Sequence, residues 1–115
     1  MHYMLTMIEP ESDFTRRSET GAEAYWAGWQ AYTAALVEAG VLVSGNALKG
    51  PETATTLRIL EGKTSIQDGP FSEGREQLGG YYIIEAASVD EALRWAARAP
   101  CAETGAVEVR PVLEM

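Results

Sequence analysis

Cysteine and histidine are almost absent from this chain of 115 residues: Cys101 and His2 are the only examples. A lone cysteine cannot build an internal disulfide framework, and it suits a reducing compartment. With no histidine pair, no cysteine cluster and carboxylates at irregular spacing, no zinc, iron or calcium site is expected, and no cofactor. Positive charge is scarce as well. Nine Lys and Arg stand against seventeen Asp and Glu, a formal net charge of −8. A field of that sign repels phosphate backbones, which argues against nucleic acid as a partner. No apolar run approaches the roughly 18 residues that span a bilayer, and the first residues lack the basic and apolar regions of a signal peptide. The expected setting is the cytoplasm.

What remains is 46% hydrophobic and 9% aromatic, enough for the core of one domain spanning residues 1–115. The run Tyr3–Ile8, closed by Pro10, reads as a buried strand. Glu9 to Gly21 is polar and aperiodic, and reads as a mobile loop. From Ala22, the residues Tyr25, Trp26, Trp29, Leu36 and Val37 recur at helical spacing, and Gly40 stands where a left-handed cap would end that helix. Val41–Pro51, with Gly45, Asn46 and Gly50, reads as an extended or looping connection. Thr55–Leu60 reads as the second strand, Glu61-Gly62-Lys63 as a turn and Thr64–Gln67 as a short hairpin arm ended by Asp68-Gly69-Pro70. Phe71–Leu78 is a charged loop and Gly80–Glu85 the clearest strand. Ser88 and Glu91 form a capping box before a second helix with Val89, Ala92, Leu93, Ala96 and Ala97 on its apolar face. Val107–Arg110 alternates and makes the last strand.

That order is α+β, β-α-β-β-α-β with an accessory hairpin arm, and right-handed crossovers put both helices on one face of a four-stranded antiparallel sheet. This is the ferredoxin-like arrangement. Its other face must meet water, a ligand or a second subunit. Period-two reading sends Val107 and Val109 to the helices and gathers Arg58, Tyr81, Glu85, Glu108 and Arg110 on the open face. Two readings of that gathering stay open: structural ion pairs at a dimer interface, or a site for a small polar or anionic molecule. Each arginine is expected to have a carboxylate partner such as Glu85 or Glu108.

Asp68-Gly69-Pro70-Phe71, followed by Glu73, Glu76, Leu78, Gly79, Gly80 and Tyr81, resembles the signature of the DGPF branch of the YCII-related family. Ala54–Arg58, Asp90–Leu93 with Trp95-Ala96, and Glu108–Pro111 agree with it, as does the Trp29–Gly40 helix with Gly45 and Leu48. The resemblance implies a dimeric α+β barrel in which two sheets face each other across a two-fold axis. It also implies kinship with dehydrochlorinases acting on chlorinated hydroquinones, and association with extracytoplasmic-function sigma factors. The founding branch is associated with a His and Asp pair in its cleft. His2 lies before the first strand, where a general base is poorly held, and is read as a solvated terminal side chain.

Asp68 is the candidate catalytic residue, held by its Gly-Pro turn, with local capping as the alternative role. Arg58, Tyr81, Glu108, Arg110 and Glu76 are the candidate ligand contacts, the last from a loop that would bend over the cleft. Trp26 and Trp29 read as core, Trp95 as rim, and Cys101 as a small buried thiol. Gly79-Gly80 lacks the Lys and Ser or Thr of a phosphate loop. The functions that follow are a ligand-binding or regulatory homodimer, a small-molecule enzyme working through Asp68 or another cleft carboxylate, or a structural partner.

Overall fold

The first strand organises the core. In the computed structural model, which covers residues 1–115, β1 (His2–Pro10) buries Tyr3, Leu5, Met7 and Glu9 while Met4, Thr6 and Ile8 stay half-covered on the opposite face. β1 extends two residues beyond the expected strand, and a short helix, α1 (Glu11–Arg16), follows where a mobile loop was expected. Acidic Glu11 and Asp13 in its first turn and Arg16 in its last complement the helix dipole. Six residues are too few to show an apolar period, so the helix was hidden in the sequence.

α2 (Ala22–Glu38) buries Tyr25, Tyr32 and Leu36. It ends in a Schellman cap: Gly40 has φ +73°, its N–H donates to Val37, and the Val41 N–H donates to Leu36. Val37, expected on the buried stripe, is exposed. After the cap comes β2 (Leu42–Ala47), and this is a correction. The second strand of the main sheet is not Thr55–Leu60 but this segment, which Gly45 and Asn46 had marked as a connection. Gly45 is there because the Tyr82 ring lies against it, and a Cβ would stand 2.7 Å from the ring.

Thr55–Leu60 (β3) pairs only with Lys63–Asp68 (β4), as a separate two-stranded arm. Glu61 and Gly62, with φ of 51° and 78°, make the left-handed two-residue turn that suits a hairpin. β5 (Glu76–Glu85) runs ten residues, taking in the end of the expected loop. α3 (Val89–Ala96) starts at Ser88, whose Oγ accepts from the Glu91 N–H, while Glu91 Oε2 accepts from the Ala87 N–H. Of its expected apolar face, Ala92 and Ala96 are buried and Val89 and Leu93 are about half exposed. β6 (Ala106–Pro111) closes the sheet.

The sheet order is β2-β5-β1-β6, antiparallel throughout, which is the ferredoxin-like order with β2 in the second-strand role. Leu5, Met7, Leu36 and Ile84 form the centre of the core with Ala92, Ala96 and Cys101, so α2 and α3 cover the same sheet face. Cys101 Sγ lies 3.7 Å from Met7 Sδ, and burial pushes its thiol up to about 12, so it stays protonated and unreactive at neutral pH. The radius of gyration is 15.7 Å, against about 13 Å for a compact chain of this length.

Candidate functional site

A carboxylate occupies a position where the alternation of β1 calls for an apolar side chain. Glu9 follows Tyr3, Leu5 and Met7 on the helix-facing side and is 1% exposed. A buried charge needs a partner, and Arg17, just beyond α1, supplies it with Nη2 donating to Glu9 Oε2 at 2.9 Å. Tyr25 of α2 donates its hydroxyl to Glu9 Oε1. Arg17 Nε donates to the Tyr25 hydroxyl at 3.1 Å, Nη1 to the Leu48 carbonyl, and Nη2 also to the Gly79 carbonyl at 3.1 Å. Its guanidinium further lies 4.7 Å from the Phe14 ring centre and 5.4 Å from that of Trp26. One arginine thus ties the end of β1, the end of α1, α2, the segment leaving Leu42–Ala47 and the start of the strand Glu76–Glu85 into one corner.

Gly79 makes that corner possible. A Cβ there would stand 1.8 Å from Glu9 Oε2, so a side chain at position 79 would have to push the carboxylate off its bonds to Arg17 and Tyr25.

Beside this corner α2 stands off β2 and β5, leaving a cavity of about 500 Å³. Trp26, Trp29 and Thr33 wall it from the helix, Leu42, Gly45 and Asn46 from β2, and Tyr82 from β5, with Met7 and Glu9 at its floor. Trp29 and Tyr82 present nearly parallel rings, 17° apart in plane. The Thr33 and Tyr82 hydroxyls are 2.5 Å apart, and on the uncovered side of the sheet Asn46 Nδ2 donates to the Tyr81 hydroxyl at 3.0 Å. Burial raises Tyr82, and burial followed by the Glu9 hydrogen bond pushes Tyr25 up to about 12, so both phenols stay protonated at neutral pH. Apolar aromatic walls with a polar floor suit a small, flat organic molecule that carries oxygen substituents.

The candidate ligand contacts singled out in the sequence lie elsewhere; Tyr81 borders the cavity from β5, but its side chain belongs to the opposite sheet face. Tyr81, Glu85, Glu108 and Arg110 do share the uncovered sheet face, through the pairings Thr6 with Tyr81, His2 with Glu85, Thr6 with Glu108 and Met4 with Arg110. Arg110 Nη2 pairs with Glu108 Oε1 at 2.9 Å in an exposed bridge, and Glu85 Oε2 lies 3.3 Å from His2 Nε2. Arg58 is not with them. It belongs to the arm, where its guanidinium lies 4.9 Å from the Phe71 ring centre, so one cleft held by Arg58 and Arg110 on a shared sheet face is ruled out. The physical reason is the strand substitution: β2 took the sheet position that Thr55–Leu60 was expected to fill. Asp68 ends β4 and is exposed, and Glu76 opens β5, also exposed. Neither lines the cavity.

Glu9, Arg17 and Tyr25 were missed because Glu9 fell within an apparent loop and Tyr25 read as core. The available signal was Glu9 continuing the Tyr3, Leu5, Met7 alternation: a charge in phase with a buried face.

The topology and the helix–sheet cavity define a ferredoxin-like α+β domain with an internal small-molecule-sized site. The chain belongs to the YCII-related domain family, whose model matches residues 1–115. An uncharacterized protein of Rhizobium meliloti is 39% identical over 114 residues, covering 97% of this chain and 92% of that protein. Among solved structures, the chain is similar in fold to 5-chloro-2-hydroxyhydroquinone dehydrochlorinase from Burkholderia phenoliruptrix, in complex with 2,5-dihydroxybenzoquinone. The TM-score is 0.57 at 18% identity, over 100% of this chain and 96% of that one.

Proposed function

We propose that the chain is a cytoplasmic homodimeric ligand-binding protein, and that the cavity between α2 and the β2–β5 strands takes a small planar molecule bearing hydroxyl or carbonyl oxygens. The carrying observation is the joining of aromatic walls to the buried Glu9–Arg17–Tyr25 corner in one cavity of about 500 Å³. The bound dihydroxybenzoquinone of the structural neighbour supports this ligand class. A regulatory role beside an extracytoplasmic-function sigma factor is the cellular setting this reading carries. The test is calorimetric titration and thermal shift with 2,5-dihydroxybenzoquinone and related hydroxyquinones. Saturable binding that raises the melting temperature, and that is abolished by filling the mouth with Ala47→Trp, is the expected result. Unchanged melting with every ring compound in the series overturns the reading.

A second reading, an acid–base enzyme acting through a cleft carboxylate, is favoured by the position of Glu9 in the cavity floor. The role first assigned to Asp68 moves there, because Asp68 is exposed at the end of the arm strand. Turnover of a chlorinated hydroquinone by the native protein and its loss in Glu9→Gln, with ligand binding retained, would establish this alternative.

A further inference from the structure

The cavity holds more donors than its own walls can use. Thr33 and Tyr82 bring two hydroxyl protons, and their oxygens lie 2.5 Å apart. One proton closes the bond between them. Neither hydroxyl has another partner in the chain, so the second proton is left without an acceptor. Burial raises Tyr82, which keeps its proton in place at neutral pH. On the ring that stacks beside it, the Trp29 indole N–H is buried and also unpartnered. A buried donor without an acceptor costs free energy that an incoming oxygen recovers. Acceptors are scarce by comparison. Glu9 is 1% exposed, and its two oxygens already accept from Arg17 and Tyr25. The Gly79 carbonyl accepts from both Arg17 and the Leu48 N–H. Gln30, exposed on the helix side, carries an amide that serves either way.

We propose that the Thr33–Tyr82 hydroxyl pair is the point at which the cavity grips a ligand carbonyl, and that it selects the oxidised, quinonoid form of a ring over the corresponding hydroquinone. The inference rests on the reading of the cavity as a site for flat oxygenated molecules, and adds the oxidation state and the residues that select it. A quinone oxygen only accepts, so it takes the spare proton and completes the chain of hydroxyls. A hydroquinone brings further protons of its own. Where its O–H donates to the pair, the chain of bonds reverses and the last proton again has no acceptor. Where it accepts instead, its own proton has the same two oxygens to turn to, and a closed ring of three hydroxyls bends each bond away from linear. Either way a buried donor is poorly satisfied, at a cost of roughly tenfold in affinity. The two forms are nearly identical in size, so apolar packing against Trp29 and Tyr82 does not distinguish them.

The experiment is calorimetric titration of the full chain, without oxygen, with 2,5-dimethoxybenzoquinone and with 2,5-dimethoxyhydroquinone. The two compounds differ by two hydrogens, and neither is charged at neutral pH. The quinone is expected to bind about tenfold more tightly. Tyr82→Phe and Thr33→Val each remove one of the two oxygens. The oxygen that faces the ligand belongs to one of them, so at least one single variant should bring the two affinities together, mainly by weakening the quinone. The double variant should do the same. Melting temperatures verify folding, and if the double variant does not fold the single variants decide. Equal binding of the two forms by the native chain, or a preference for the hydroquinone, overturns the inference. So does a preference for the quinone that survives in every folded variant, since the selection would then lie elsewhere in the cavity. Titration with 2,5-dihydroxybenzoquinone checks the underlying reading separately. If that compound binds and neither methoxy compound does, the inference alone fails. If none of the three binds, the reading of the cavity fails and the inference falls with it.

Discussion

β1 and the β3–β4 arm carry the same alternating pattern and meet opposite fates. In β1 the residues Leu5 and Met7 are sealed under α2 and α3, and the alternation even draws a carboxylate, Glu9, into the interior. In the arm, Leu57, Ile59 and Ile66 alternate just as cleanly and face water. Period-two patterning therefore states that a face is made for covering, without stating what covers it. Whether the cover is a helix of the same chain depends on where the chain enters and leaves the strand. β1 is followed by helices that cross back over the sheet, whereas the arm is inserted between two neighbouring strands and has no helix of its own.

The contrast is sharpest for charges and leucines placed in each setting. Arg17→Ala should have the largest effect, destabilising by about 3–5 kcal/mol in urea titration, because it strands the Glu9 carboxylate in the interior. Leu5→Ala should follow at about 2–5 kcal/mol for the cavity it leaves in a fully buried position. A value under 1 kcal/mol for either would mean that the β1 interior is looser than its geometry.

Alkali probes the same interior. Tyr25 and Cys101 are both pushed up to about 12, chiefly by burial, from ordinary values of 10.0 and 9.0. The unfolded chain therefore loses these protons at lower pH than the folded one, so stability is full below about pH 9 and falls as pH rises toward 12. Thermal melts at rising pH should show that decline, reduced in Tyr25→Phe, and a flat profile would contradict it. Ser88→Ala, which removes the cap of α3, should cost about 1 kcal/mol. At the small end, Leu57→Ala should change the stability of the isolated subunit by no more than about 0.5 kcal/mol, measured at concentrations too low for association. A large loss there would erase the distinction between the two regions.

Legibility in the sequence followed local chemistry. The Gly40 cap, the Ser88–Glu91 box and the β5 and β6 strands were readable because each depends on residues close in sequence. β2 was not, since Gly45 signals a turn by composition but serves a close approach to Tyr82, a residue remote in the chain. For the site, the alternation of β6 correctly separated Glu108 and Arg110 from Val107 and Val109. It failed for Arg58, whose strand has the right pattern in the wrong sheet. Glu9, Arg17 and Tyr25 lie close in sequence but on a strand, a helix end and a second helix joined by turns, so no single periodicity relates them, and the glycine that leaves room for them comes from a distant strand.

Gly79 carries one consequence for sequence divergence. A methyl group at 79 would have to push the Glu9 carboxylate off its bonds to Arg17 and Tyr25, and a shortened residue 9 would leave Arg17 without its acidic partner, so the two positions are coupled. A descendant that acquires alanine at 79 must move the carboxylate from its present place or give it up, and either change alters the charge on the cavity floor. Reading those two columns together in any set of relatives would sort chains that keep this floor from chains that have rebuilt it.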